Sequence, residues 1–206
     1  MVSCGQLNIQ GISTDSEVEF NVYHDESGTY VPGGGSRWLL HGILFVPTFK
    51  QSEVVQSLLE VRDKQNYHYE MHYKKLRHST QGPKAQCAKL WLKRYLSNFS
   101  EFCFYHCLAI DTFSPAFEHQ RFTERYHVYN YFTKTAVVGA IAWFFKTYSR
   151  IALRFYSDEK CRDPNDNFAT YIPREVISIF ESKRKEKPSK YPEIRLLHDK
   201  VIPMNS

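Results

Sequence analysis

The chain has 206 residues and a formal net charge of +5, from 27 Lys and Arg against 22 Asp and Glu. With 42% hydrophobic and 16% aromatic residues, it can fill a sizeable core, and its length allows one large domain or two small ones, of which we expect one. No stretch is long and apolar enough to span a bilayer, so we expect no membrane partner. The modest positive charge favours a polyanionic partner weakly.

The cysteines predict an intracellular protein with reduced, mostly buried thiols. They follow neither a zinc-binding spacing nor the dense pattern of a disulfide framework. The N-terminal segment lacks the basic start and apolar core of a secretory signal. We therefore expect a cytoplasmic protein in which residues 1–16 form a flexible lead-in and residues 17–206 form the domain. The five cysteines are Cys4, Cys87, Cys103, Cys107 and Cys161.

Residues 18–28 predict a strand that ends in acid. Val18, Phe20 and Val22 are two apart, so their side chains share one face of an extended segment. Asp25 and Glu26 follow at or beside the strand end, before a glycine-rich turn. A carboxylate held there is rigidly placed and open to solvent, as the first ligand of a metal-dependent active site must be. Asp-Glu-Ser-Gly is also ordinary turn chemistry, and the residues alone leave both interpretations open.

Beyond this strand, hydrophobic periodicity predicts alternating strands and helices. The nearly continuous apolar run 38–46 predicts a strand that is buried on both faces and forms an antiparallel hairpin with the first. The segment 117–148 predicts one long helix. Pro173 leaves open whether the helix at 168–183 is continuous. The other predicted elements are helices at 52–65, with Ser52 as N-cap, and at 84–99, and strands at 67–76, 102–110, 150–156 and 194–202.

The predicted strand 67–76 has one polar face, on which His68, Glu70, His72 and Lys74 alternate with aromatic residues and Met71. Glu70 between two histidines is either part of a row of metal ligands or part of a solvated edge. The residues alone favour the solvated edge.

Three carboxylates, Asp25, Asp111 and Asp158, are predicted at strand ends. Strands joined by helices are expected to pair in parallel, and such sheets bind ligands at the carboxyl ends of their strands. We therefore predict a mixed α/β sheet flanked by helices, with these acids at one edge. Acids there in a basic protein suggest Mg²⁺ or Mn²⁺ holding a phosphate, and Asp111 is counted among the metal ligands on its position alone.

Four segments resemble the domain-of-unknown-function family 3800. They are residues 23–28 (Tyr-His-Asp-Glu-Ser-Gly), the Leu-Leu-His-Gly-Ile-Leu-Phe-Val strand that follows, residues 70–76 (Glu-Met-His-Tyr-Lys-Lys-Leu) and residues 155–159 (Phe-Tyr-Ser-Asp-Glu). The likeness covers nearly the whole chain after residue 16 and rests on the order and spacing of short motifs. It implies a ribonuclease H-like fold and a metal-dependent nuclease.

The resemblance also implies roles for individual residues. Asp25, Glu70 and Asp158 would be metal ligands and catalytic carboxylates. His72 would be a further catalytic residue, and Lys74 would lie near the phosphate.

Basic residues supply the predicted nucleic-acid surface. Lys74 and Lys75 belong to the polar-faced strand, and Lys89 and Lys93 to the basic face of the helix predicted at 84–99. A face of this kind follows a phosphate backbone or is merely solvated, and the sequence leaves that choice open.

The chain departs from the family pattern at its C-terminus. The family usually ends with a helix that bears Gln-Leu-Ala-Asp, whose Asp completes the site, whereas this chain stops at Ser206. We therefore expect a C-terminally incomplete domain with exposed apolar sheet surface, covered by a partner chain or a second copy.

The first functional hypothesis is thus a phosphodiesterase of the ribonuclease H-like class that acts on DNA or RNA. The alternative is a noncatalytic nucleic-acid or protein-binding module with a degenerate or incomplete site. A plain structural subunit is the third hypothesis, since a fold does not by itself define a function.

Overall fold

The structure is a computed structural model and describes residues 16–32, 34–69, 71, 81–158 and 165–204. In these residues no helix is sufficiently long and apolar to cross a membrane. The strands are β1 (Val18–Ser27), β2 (Tyr30–Val31), β3 (Gly34–Gly35), β4 (Trp38–Pro47), β5 (Phe104–Asp111), β6 (Arg150–Asp158), β7 (Glu193–Leu196) and β8 (Ile202–Met204). The α-helices are α1 (Gln51–Lys64), α2 (Pro83–Arg94), α3 (Arg125–Phe144) and α4 (Phe168–Glu186).

A mixed sheet forms the centre of the molecule, and the predicted α/β class with flanking helices is confirmed. The strand order is β5-β4-β1-β6-β7, with β8 also paired to β6. The central strand β1 pairs antiparallel with β4 and parallel with β6. Strands β7 and β8 are parallel to β6 as well.

The prediction of parallel pairing between all helix-connected strands is wrong for β5, which runs antiparallel to β4. Two helices connect these strands, and they pack on each other, with the Trp91 indole N–H donating to the Leu58 carbonyl at 2.9 Å. A single crossover helix returns the chain to the opposite edge of a sheet, which gives parallel strands. Two paired helices instead return the chain to the end of the sheet at which β4 finishes. Strand β5 starts there and runs antiparallel to β4.

Helices α3 and α4 cover one face of the sheet and bury the alternating residues of β1. Phe20 is fully buried there, with its ring centroid 6.5 Å from that of Phe45 and 4.8 Å from that of Phe145. Burying an aromatic side chain of this size contributes about 1.5–3 kcal/mol. This layer therefore holds β1 in the middle of the sheet.

Among the residues that the structure describes, the opposite face is covered only in part. Val46 and Val54 pack with Phe99 under α1 and the helical turn after α2. Toward the carboxyl end of β1 the cover ends, and Trp38 is 50% exposed, Leu40 36% and Tyr105 52%. The prediction that strand 38–46 is buried on both faces is therefore wrong for its first half, whereas the expected exposed apolar surface is present. We call this uncovered region of β1, β4, β5 and β6 the open face.

Several predicted boundaries move. Helix α1 begins at Gln51 after a 3-10 turn, so Ser52 is not its N-cap. The helix predicted at 117–148 is shorter, because α3 starts at Arg125 and only a 3-10 turn precedes it. The last predicted strand is two strands, β7 and β8. Residues 67–69 and 71 lie outside any strand, and the rest of the strand predicted at 67–76 lies outside the described residues.

Helix α4 is continuous through Pro173. Proline lacks the N–H that would bond the carbonyl four residues earlier, which belongs to Ala169. That carbonyl instead accepts a hydrogen bond of 2.8 Å from the N–H of Val201, just before β8. The chain that connects β7 to β8 thus satisfies the group that the proline leaves without its helical donor.

Candidate functional site

Two of the predicted carboxylates lie side by side at the carboxyl ends of parallel strands. Strands β1 and β6 pair residue for residue, with Tyr23 opposite Tyr156 and His24 opposite Ser157. Asp25 and Asp158 come next in this register, and neighbouring strands lie about 4.8 Å apart. Because side chains alternate between faces, both carboxylates project to the open face. Asp25 is exposed and Asp158 is half-buried.

A cleft of about 360 Å³ opens beside Asp25. Its floor is the β4 segment at Gly42, flanked by Leu40 and Leu44, and Tyr105 and Met204 also line it. Met204 pairs with Asp158 across β8 and β6, so Asp158 lies next to the β8 side of the cleft, whereas Asp25 and Glu26 are the carboxylates that line it. A ligand in it would lie on apolar surface with a carboxylate at one side.

The phenol of Tyr105 is a hydrogen-bond donor in this cleft. Burial raises the pKa of Tyr105 to about 12, with smaller contributions from Cys107, Tyr95 and Asp25. The hydroxyl group therefore keeps its proton throughout the physiological pH range. It can donate to an anionic ligand held next to Asp25.

Asp111, the third predicted strand-end acid, does not join this pair. In the β1–β4–β5 register Asp25 is opposite Gly42, and Gly42 is opposite Cys107. Asp111 lies four residues farther along β5, which is about 13 Å in the strand direction, besides the width of two strand spacings. Its carboxylate accepts from the Arg37 guanidinium at 2.9 Å, and this hydrogen bond lowers the pKa of Asp111. The carboxylate thus belongs to an ion pair at the sheet edge, apart from the cleft.

The remaining predicted site residues divide into two groups. Glu70, His72, Lys74 and Lys75 lie outside the described residues. Lys89 and Lys93 are exposed on α2, where they remain predicted nucleic-acid contacts. Within the described ranges, no group of three or more His, Cys, Asp and Glu side chains is placed to hold a metal ion.

A buried polar network lies on the opposite face, directly behind the two acids, and was not predicted. His24 Nδ1 is 3.1 Å from Ser157 Oγ, and His24 Nε2 is 3.4 Å from His41 Nδ1. Thr133 of α3 places its hydroxyl oxygen 3.1 Å from both imidazoles. All four side chains are at most 5% exposed. The signal was available in the sequence, since His24 and Ser157 each precede one of the acids and alternation places them on the covered face.

The same alternation separates the two acids of the Asp-Glu pair. Asp25 faces the cleft, whereas Glu26 has an oxygen 3.6 Å from His24 Nδ1 and a side chain only 12% exposed. Glu26 therefore lies beside the buried network, at the rim of the cleft. The structure assigns the two adjacent carboxylates to different surroundings.

The donor set at Asp25 and Asp158 fits a hard divalent cation. Mg²⁺ is commonly bound through one or two carboxylates, with phosphate and water completing its shell. The first residue of α4, Phe168, packs on buried His24 with ring centroids 5.7 Å apart, so the N-terminus of α4 lies behind the sheet, on the covered face, where the Phe168 N–H donates to Asp166 Oδ1 at 2.9 Å. The open face therefore offers a cation the two carboxylates alone, and a bound anion would help to complete its shell.

The fold and this site define a mixed α/β protein with a cleft at the carboxyl edge of its sheet, lined by Asp25 and next to the strand that carries Asp158. No family model matches the chain, and no curated protein matches it.

Proposed function

We propose that this protein is a metal-dependent phosphodiesterase, a nuclease of the ribonuclease H-like class, that acts on DNA or RNA. The observation that supports it is the register of β1 and β6, which sets Asp25 beside Asp158 on one face. The central position of β1, with an antiparallel partner on one side and a parallel partner on the other, is consistent with the proposed fold. Membership of family 3800 is part of the proposal.

In this proposal Asp25 and Asp158 hold Mg²⁺ or Mn²⁺. When bound, a cation at such a site lowers the pKa of water and stabilises charge on the leaving oxygen of a phosphodiester. The two carboxylates position the phosphate indirectly, because without a cation they would repel it. Tyr105 adds a neutral donor. Glu70 and His72 remain predicted catalytic residues on the resemblance.

The basic residues complete the proposed substrate surface. Lys89 and Lys93 are one helical turn apart on α2, so their ammonium groups share a face. Lys74 and Lys75 stay predicted contacts to the phosphate backbone. A cytoplasmic location stays a prediction from the cysteines.

Calorimetric titration with Mn²⁺ tests the metal site. We expect Asp25→Asn and Asp158→Asn each to weaken binding at least tenfold, since even the loss of an outer-shell partner costs about 10–100-fold. The matched controls are Asp111→Asn and Glu26→Gln, which neutralise carboxylates outside the proposed pair. Both controls should bind within about threefold of the wild type. Binding that Asp25→Asn leaves unchanged, or that Asp111→Asn abolishes, would overturn the assignment.

Cleavage of end-labelled single-stranded and duplex DNA and RNA tests the reaction. Activity should require Mg²⁺ or Mn²⁺, stop with chelator and be lost in Asp25→Asn. Cleavage that persists without metal rules out the proposal. A different result would support the noncatalytic binding module: the wild type cleaves no substrate with either metal, and Asp25→Asn still binds nucleic acid.

A further inference from the structure

We propose that the cleft over Gly42 is a subsite for one nucleoside unit, a sugar with its base, next to the phosphate at Asp25 and Asp158. The proposal rests on the proposed function, because it names the part of a nucleic-acid substrate that the cleft takes. Tyr105 is the residue on which the base stacks.

The absence of a side chain at Gly42 leaves room for the Tyr105 phenol to lie close over the floor of the cleft. A Cβ atom built at Gly42 would lie 3.4 Å from the Tyr105 hydroxyl oxygen and 3.7 Å from the Asp25 carbonyl oxygen. The phenol and the acidic strand therefore approach the same point of β4 from opposite sides. A side chain there would occupy the space between the proposed phosphate site and the aromatic ring.

The lining chemistry matches a nucleoside. Leu40 and Leu44 provide apolar surface beside the floor, and Met204 lines the β8 side. Tyr105 keeps 52% of its surface exposed, and aromatic rings of this kind stack on bases without regard to sequence. The volume of about 360 Å³ falls within the range of about 300–1,000 Å³ that is typical of small-ligand sites.

A nucleoside explains the cleft better than a protein partner does. A helix or strand laid over it would take Asp25 and Asp158 out of water against apolar side chains, which costs several kcal/mol unless the partner brings a cation or hydrogen-bond donors. A nucleotide brings a phosphate, and with it the cation that the two acids require. The occupant is therefore charged at one end and flat and apolar at the other.

Binding of adenosine 5′-monophosphate with Mn²⁺, compared with inorganic phosphate and Mn²⁺, tests the subsite. We expect Tyr105→Ala to bind the nucleotide about tenfold or more weakly than Tyr105→Phe, because Tyr105→Phe keeps the ring and both variants lack the hydroxyl donor. Inorganic phosphate has no base to stack, so it should bind equally to these two variants. Gly42→Ala serves as a second variant, since its methyl group makes only ordinary contacts and should weaken the nucleotide selectively.

Cys107 gives an independent readout, because it is exposed and lines the cleft. Nucleotide with Mn²⁺ should slow its alkylation by iodoacetamide, and phosphate with Mn²⁺ should not. The subsite is refuted if the nucleotide binds no more tightly than phosphate and Cys107 reacts equally fast with and without nucleotide. This outcome would leave the assignment of the metal site unaffected. If Mn²⁺ does not bind, the proposed function fails, and the subsite is then tested with adenosine in the absence of metal. Protection of Cys107 from alkylation by adenosine, lost in Tyr105→Ala, would support the subsite. No protection of Cys107 would refute the subsite.

Discussion

Thr133 offers a direct test of the buried network behind the acids. Its hydroxyl oxygen lies 3.1 Å from both His24 Nε2 and His41 Nδ1, and the side chain is 1% exposed. Thr133→Val keeps the shape and replaces this hydroxyl with a methyl group. Weakening the hydrogen bonding of a buried polar group costs about 1–3 kcal/mol, so we expect a loss of stability in that range.

Urea unfolding and thermal unfolding measure this loss. For a chain of this size 1 kcal/mol shifts Tm by about 2–4 °C, so Tm of Thr133→Val should fall by roughly 2–12 °C. The matched control is Thr133→Ser, which keeps the hydroxyl and removes only a methyl group. If Thr133→Val is as stable as the wild type, or if Thr133→Ser loses as much as Thr133→Val, the hydroxyl group does not bind the two imidazoles as described.

The remaining predictions concern a thiol pair, an ion pair and a turn. Burial raises the pKa of Cys103 to about 12, so peptide mapping should show that iodoacetamide modifies exposed Cys107 well before Cys103; the reverse order would contradict the burial. Arg37→Gln should raise the pKa of Asp111, observed by NMR titration. The pKa of Asp111 is lower in the folded state than in the unfolded state. The wild type should therefore be more stable than Arg37→Gln at neutral pH, and this difference in stability should disappear as the pH falls below about 3.9. An equal difference in stability at pH 2 and pH 7 would refute the pairing. Gly28 has a φ angle of +100°, and a Cβ atom there would collide with a carbonyl of β4. Gly28→Ala should therefore lower the free energy of unfolding by more than about 1 kcal/mol. An unchanged unfolding midpoint in urea would contradict this geometry.

Local patterns sufficed for the elements that dominate the core. The alternation of Val18, Phe20 and Val22 predicted β1 and its buried face, because a period of two leaves no other way to bury these side chains together. The same alternation places Asp25 on the open face. Asp158 was predicted at a strand end for a similar reason, since the apolar run before it stops at the acid.

Long-range contacts account for what the sequence could not show. The orientation of β5 depends on how α1 and α2 pack on each other. The continuity of α4 depends on Val201, a residue almost 30 positions after Pro173, whose N–H reaches the carbonyl of Ala169. Asp111 looked equivalent to the other strand-end acids because a strand end does not reveal which strand lies next to it. Each of these features is decided by chain segments that are distant in sequence.

The network and the acids depend on one register. A slip of β1 by one residue would exchange the faces of His24 and Asp25. It would bury a carboxylate beside Ser157 and His41 and place an imidazole on the open face. The His24 to Ser157 contact of 3.1 Å is formed only when β1 and β6 are aligned so that Asp25 and Asp158 are neighbours. The buried polar side chains thus favour the one strand alignment in which the two carboxylates meet, although none of the hydrogen bonds described in the network involves either of them.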